Sequence, residues 1–203
     1  MTIDLAAMRD GIARLTAAME REFDTLNAAD GALGDGDLGV TMTRGMRAIT
    51  ELSADLPADL GQALLRCAQA FTRSSGSSYG TLMATGLMAM AKAVKGRETV
   101  AASEVSGLVA LARDAMIARG KAETGGKTVL DSLDAVAVAT AGLTDAAQVA
   151  QAAIAAARAA MEAFRDKPAT VGRARIFAEK SRGMDDPGML AMTAIVGALA
   201  ARA

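Results

Sequence analysis

From Met8 onward the apolar residues Met8, Ile12, Leu15, Met19, Phe23 and Leu26 step by three or four positions, the spacing of one face of an amphipathic helix. The period returns in Val40, Met42, Met46 and Ile49 and, after a break around Pro57, in Leu60, Leu64, Ala68 and Phe71. Nowhere do Val, Ile, Thr and aromatic residues alternate long enough to make a strand. The first helix is expected to end near Asn27. Further helices are expected from about Thr81 to Val94, from about Ser103 to Arg119, from near Thr128, and through the Ala-rich run "DAAQVAQAAIAAARAAMEAF". A last helix, from about Pro187 to Ala201, is apolar nearly all round, which places it between the others. The reading is all-α, about eight helices and no sheet, and 203 residues suit one domain spanning 1–203. Hydrophobic residues make up 52% of the chain and aromatic ones only 2%, so Ala, Leu, Met, Val and Ile must fill the interior. Ala favours this, because it has the best helix propensity and lets backbones approach.

Composition also excludes chemistry. The chain has no histidine, which removes Ser-His triads, His-ligated zinc and the commonest base near neutral pH. Cys67, the only cysteine, rules out an internal disulfide or a Cys-based zinc site, and its place on the apolar side of "ALLRCAQAF" reads as a buried, inert thiol. The net charge is −1 and basic residues are interleaved with acids, so no nucleic-acid footprint is expected. The opening "MTIDLAAMRD" lacks a signal-peptide pattern, and no apolar run reaches the roughly 18 residues that span a bilayer. A cytoplasmic protein without membrane association is the expectation.

The stretch "DGALGDGDLGVTMTRG" carries Asp30, Asp35 and Asp37 among Gly34, Gly36 and Gly39, which match G-x-G-x-x-G. A dinucleotide turn must follow a strand, and here a helix precedes it; the acids would also repel a pyrophosphate. A calcium-binding EF-hand loop fails because Ala32 and Gly34, or in the other register Gly39 and Met46, stand where ligands belong. "GKAETGGKT" resembles a phosphate-binding P-loop, but Gly120 lies one residue too early and no strand feeds it. Three like charges in a short loop repel unless a cation lies among them, and carboxylates without His or Cys suit Mg²⁺. Glycines would let the turn fold tightly and phosphate approach. Solvated loop acids are the plainer alternative. "SSGSSYG", from Ser74 to Gly80, offers hydroxyls and N–H groups before a helix N-terminus, suited to phosphate oxygens or simply to capping. "DDPGM" places Asp186, Pro187 and Gly188 at a helix start. The segment Asp166–Asp186, with Pro168, Gly172 and Gly183, has no period, and loops that long are usually functional or disordered.

Taken in order, "LGDGDLGVTM", "SSGSSYGT", "GKAETGGKTVLDSL", "VGRAR" and "DDPGM" resemble the nucleotide-binding L subunit of dihydroxyacetone kinases, a module that also forms the C-terminal half of single-chain ATP-dependent enzymes. The resemblance implies an antiparallel barrel of eight helices with a nucleotide, ADP or ATP, at its open end. It implies that Asp30, Asp35 and Asp37 hold two Mg²⁺ ions against the phosphates, with Leu38, Gly39, Val40 and Thr41 beside them. Ser74, Ser75 and Gly76 match the phosphate-binding turn, Gly120 and Val129 nucleoside contacts, Arg173 an arginine near the nucleotide, and Asp186, Pro187 and Gly188 its C-terminal contacts. The segment Asp166–Asp186 would then be a cover. The chain departs from the usual pattern at Leu38, Thr41 and Gly126, where family members carry His or Cys, Asn, and Asp.

Phosphoryl transfer needs positioning and charge neutralisation more than a protein nucleophile, so a chain without histidine can supply half of it. By resemblance the other half lies on a K subunit that holds dihydroxyacetone or a related short ketose, so the chain alone is expected to phosphorylate nothing. The resemblance leaves two donors open: ATP, or a phosphotransferase-system M subunit that recharges fixed ADP. A second copy of the chain is a further partner left open. A fatty-acid-kinase-type nucleotide module and a non-catalytic helical binding module are the alternatives.

Overall fold

The computed structural model describes residues 2–201. Among these, nine α-helices follow one another: α1 (Leu5–Arg21), α2 (Phe23–Leu33), α3 (Leu38–Leu52), α4 (Leu60–Ser74), α5 (Ser78–Ala93), α6 (Val105–Gly120), α7 (Val129–Thr140), α8 (Ala146–Arg165) and α9 (Pro187–Ala200). Most start where a short polar side chain satisfies amides left over at the helix N-terminus. Asp4 caps α1, Asp59 caps α4, Ser77 caps α5, Thr128 caps α7, Asp145 caps α8 and Asp186 caps α9.

Eight of these helices close a ring. α1 packs on α3, each helix from α3 onward packs on the next, and α9 returns to α1; the ninth, α2, lies against α3 and α9. The expected eight-helix architecture is therefore present. The extra helix arises because the expected first helix divides at Glu22, the single residue between α1 and α2. Its N–H still bonds to the Ala18 carbonyl, and Met19 and Leu26 on either side are both fully buried, so the apolar period runs through the break unmarked. α2 also continues past Asn27 to Leu33, which is buried against Ala169 and Ala174. One pair of strands is present, β1 (Thr2–Ile3) antiparallel to β2 (Val100–Ala101); two residues each are too few to leave an alternating pattern.

The main core gathers Met19, Leu26, Met42, Met46 and Phe71 from α1 to α4 with Ala191 of α9. Cys67 is buried there, and burial pushes its thiol up to about 11, consistent with an inert side chain. Between the helices lies a cavity of about 510 Å³, lined by apolar side chains that include Met8, Ile12, Met83, Leu133 and Ile195. Among the described residues, no helix is long and apolar enough to cross a membrane.

The ring brings several helix ends together. The Tyr79 hydroxyl in the first turn of α5 donates to the Gly188 carbonyl in the first turn of α9 at 3.3 Å. A β-carbon at Gly188 would lie 3.0 Å from the Tyr79 ring and 3.5 Å from Val129, the first residue of α7. Close backbone approach is also needed where α4 meets the end of α5: a β-carbon at Gly61 would lie 2.5 Å from Lys95 Cα. Backbone cannot move aside as a flexible side chain can, so Gly61→Ala should cost about 1–3 kcal/mol of stability as an overpacking change. Urea unfolding measures it, and an unchanged midpoint would contradict the packing described.

Candidate functional site

The helix α3 takes its capping from another helix. Asp37 occupies its N-cap position but makes no side-chain cap bond. Two residues on the preceding helix take its amides instead. Asn27 Oδ1 accepts from Gly39 N at 2.8 Å and Val40 N at 3.2 Å, and Asp30 Oδ2 accepts from Asp37 N at 2.8 Å and Leu38 N at 3.2 Å. Asn27 and Asp30 are three residues apart on α2 and therefore share a face. Folding the chain back between α2 and α3 requires a left-handed backbone at Gly36, φ +78°. It also requires Gly39, where a β-carbon would overlap the Phe23 carbonyl oxygen.

The consequence is electrostatic. Asp30, Asp35 and Asp37 each present a carboxylate oxygen, and these three oxygens lie within 4.8 Å of one another. Asp30 is half-buried, while Asp35 and Asp37 are exposed. The guanidinium of Arg173 pairs with Asp35. An all-oxygen donor set of clustered carboxylates, already attracting one positive group, fits a hard divalent cation such as Mg²⁺. Asp30 stands on the last turn of α2 rather than in the loop where the sequence places it.

The other expected residues fall in two further places. Leu38, Gly39, Val40 and Thr41 form the first turn of α3, and their amides are all engaged within the protein, Thr41 N bonding to the Asp37 carbonyl at 2.8 Å. Ser74 ends α4 and its hydroxyl donates to the Phe71 carbonyl; Ser75 shares a 3.2 Å hydroxyl contact with Ser77; Gly76 faces open space. α5 starts at Ser78, three residues before the expected Thr81, because Ser77 caps it through Gly80 N.

A second cluster joins α7, α9 and the Asp166–Asp186 segment. Val129, Pro187 and Gly188 are buried, and Asp186 accepts from Met189 N at 2.9 Å. Gly120, at the end of α6, stands beside Leu82, 3.7 Å from where its β-carbon would lie, and Ala122, both of which pack against the apolar cluster that includes Val129 and Leu130. Asp131, 5% exposed, closes a capping box with Thr128 and also accepts from Gly125 N. Lys127, 1% exposed, is buried between α7 and the segment. The segment itself carries two short 3₁₀ helices, Arg173–Ile176 and Ala178–Ser181, and its base is clasped by Arg165, whose guanidinium makes two bonds to Asp185 at 2.8 and 3.2 Å. Gly126 packs under it, since a β-carbon there would come 2.7 Å from a Val171 methyl. A side chain at this position would have to displace Val171.

Sequence reasoning missed Asn27, Tyr79, Lys127 and Asp131. Asn27 had a readable signal, its one-turn spacing from Asp30. Lys127 had none, because a lysine between glycine and threonine gives no hint of burial.

A ring of helices with a carboxylate cluster and a serine-rich turn at helix ends defines an all-helical module whose clustered oxygens have the chemistry to suit a hard cation. A family model described as the DAK2 domain matches residues 32–201, and the chain belongs to that family. It is 32% identical over 169 residues to the ADP-binding subunit DhaL of the PEP-dependent dihydroxyacetone kinase 1 of Listeria innocua, covering 80% of this chain and 79% of that protein. It is 34% identical over 200 residues to the triokinase/FMN cyclase of Homo sapiens, covering 92% of this chain but only 34% of that protein. The crystal structure of the dihydroxyacetone kinase from C. freundii in complex with AMP-PNP and Mg²⁺ superposes with a TM-score of 0.78 at 26% identity, over 98% of this chain and 34% of that one. The chain thus spans about a third of the two longer proteins.

Asp186 sets a pH dependence. Burial is the main cause that raises its carboxyl from the ordinary 3.8 to about 7, with amides of Met189 and Gly188 and the Lys127 charge opposing and Asp131 adding to the rise. A carboxyl raised on folding favours the protonated chain, so its contribution to stability is complete below its unfolded value and is lost as pH rises through about 7. Asp186→Asn keeps a capping oxygen without the charge. Its melting temperature relative to the natural protein should rise progressively between about pH 4 and 7. A gap that does not change with pH would contradict the assignment.

Proposed function

We propose that this chain is the nucleotide- and magnesium-binding subunit of a cytoplasmic kinase for dihydroxyacetone or a related short ketose, acting as one helical unit over residues 1–203. The observation that carries the reading is the set of three carboxylate oxygens within 4.8 Å at the α2–α3 turn. Its support is family membership and the match, over 80% of this chain and 79% of that protein, to a subunit named for binding ADP. Both named relatives are kinases, which favours neither the fatty-acid-kinase-type nor the non-catalytic alternative.

In this reading Asp30, Asp35 and Asp37 would hold two Mg²⁺ ions, which would supply charge neutralisation for the nucleotide phosphates. The chain's own residues do the positioning. Ser74, Ser75 and the open Gly76 receive phosphate oxygens at the start of α5. Leu38, Gly39, Val40 and Thr41 wall the metal side; because their amides are engaged, they act by shape and side chain. Gly120, Val129, Asp186, Pro187 and Gly188 face the nucleoside, and Arg173 places a positive charge beside the phosphates. The acceptor hydroxyl and the base that activates it come from a K subunit, so the chain alone transfers phosphate to no sugar. The donor is ATP, or a phosphotransferase-system M subunit that recharges retained ADP.

Isothermal titration with ADP, with and without Mg²⁺, tests this. The natural protein should bind ADP in a Mg²⁺-dependent way. Asp35→Ala, folded, should lose at least the roughly 10–100-fold that removing a group supporting a metal ligand typically costs. Equal affinity with and without the metal, or in the variant, would overturn the reading.

A further inference from the structure

Lys127 lies at the junction of two walls of the proposed site, between the capped start of α7 and the Asp166–Asp186 segment. It is 1% exposed, and its ammonium donates to the carbonyls of Arg165 at 2.7 Å, Lys167 at 3.0 Å and Ser181 at 2.7 Å. An ammonium has three N–H donors, and all three are used. The acceptors belong to the end of α8, the outgoing leg of the segment and its returning leg, so one side chain ties both legs together. Its backbone is left-handed, φ +61°, a conformation that a non-glycine residue keeps only where its surroundings hold it.

The same bolt extends outward. Ser181, fully buried, accepts from Ala169 N at 2.7 Å and donates to the Ala178 carbonyl at 2.6 Å. Thr170 N bonds to the Gly126 carbonyl, next to Lys127, at 3.2 Å. On its far side the segment packs Ala169, Ala174 and Phe177 on Leu33 at the end of α2, and Arg173 pairs with Asp35. Removing the ammonium takes the common donor from three carbonyls, one of them buried, and leaves the two legs joined only by weaker or more exposed contacts such as Gly183 N to the Arg165 carbonyl.

Resting on the functional reading above, we propose that Lys127 is a positioning residue: its buried ammonium fixes the Asp166–Asp186 segment as a cover, holds Arg173 over the acidic turn, and so sets how long a nucleoside diphosphate stays bound. Lys127 touches no ligand in this account and acts through the cover.

The test uses the full chain and two measurements. Lys127→Met keeps the length of the side chain and removes its charge. Trypsin cleavage after Arg173, Arg175, Lys180 and Arg182, mapped by mass spectrometry without nucleotide, should be faster in the variant. Release of a fluorescent ADP analogue in Mg²⁺ should speed up by about 2- to 30-fold, the range typical of a lost coupling. Arg173→Ala should speed release as well, and the double variant should be no faster than the faster single one, because both act through one cover. If Lys127→Met does not fold, Ser181→Ala cuts the same bolt at Ala169 and is held to the same two readouts. Unchanged cleavage or release in a folded variant, or fully additive effects with Arg173→Ala, would overturn the inference while leaving the functional reading in place. Failure of the natural protein to bind the analogue at all would instead bring down the functional reading and the retention role with it.

Discussion

The start of α3 governs the rest of the site. Its amides are satisfied from the preceding helix, by Asn27 and Asp30, rather than by its own N-cap. That arrangement has two effects. It fixes the turn between α2 and α3 so tightly that Gly36 and Gly39 are needed for the backbone to pass. It also leaves the Asp37 carboxylate without a capping duty, so that it can stand with those of Asp30 and Asp35. A helix N-terminus lowers the electrostatic cost of gathering acids, since its dipole favours negative charge there. Three carboxylates still repel, and Arg173, paired with Asp35, relieves part of that repulsion.

The ring supplies the frame. Because successive helices pack as neighbours and α9 closes on α1, the first turns of α5, α7 and α9 meet through Tyr79, Val129 and Gly188. Helix starts carry unpaired amides and positive partial charge, so assembling several of them makes an end of the molecule suited to an anion. The segment between α8 and α9 then spans from this end to the acidic turn, held at its base by Arg165 and Asp185 and from within by Lys127. The two parts of the proposed site are thereby joined by a single piece of chain.

Much of this was legible in the sequence. The period of three and four placed the helices, and the absence of alternation excluded any extended sheet. The acidic turn stood out because charge and glycine coincide there. What stayed hidden was hidden for physical reasons. The break at Glu22 costs only one residue and keeps Met19 and Leu26 on the same buried side, so no pattern marks it. Asp30 reads as a loop residue because Gly31 and Gly34 follow it, yet the burial of Leu33 against Ala169 and Ala174 extends α2 past it. Lys127 is charged and lies among turn residues, which ordinarily means exposure; only the three carbonyls that converge on it, two of them from residues about 40 or more positions away, explain its burial.

The tight turn between α2 and α3 is the proposed divalent-cation site. Crystals soaked with Mn²⁺ and ADP, with anomalous scattering recorded at the manganese edge, test it most directly. The account predicts anomalous density within coordination distance of Asp30, Asp35 and Asp37, with Arg173 displaced from Asp35. Anomalous density elsewhere, with Arg173 still paired to Asp35, would contradict it.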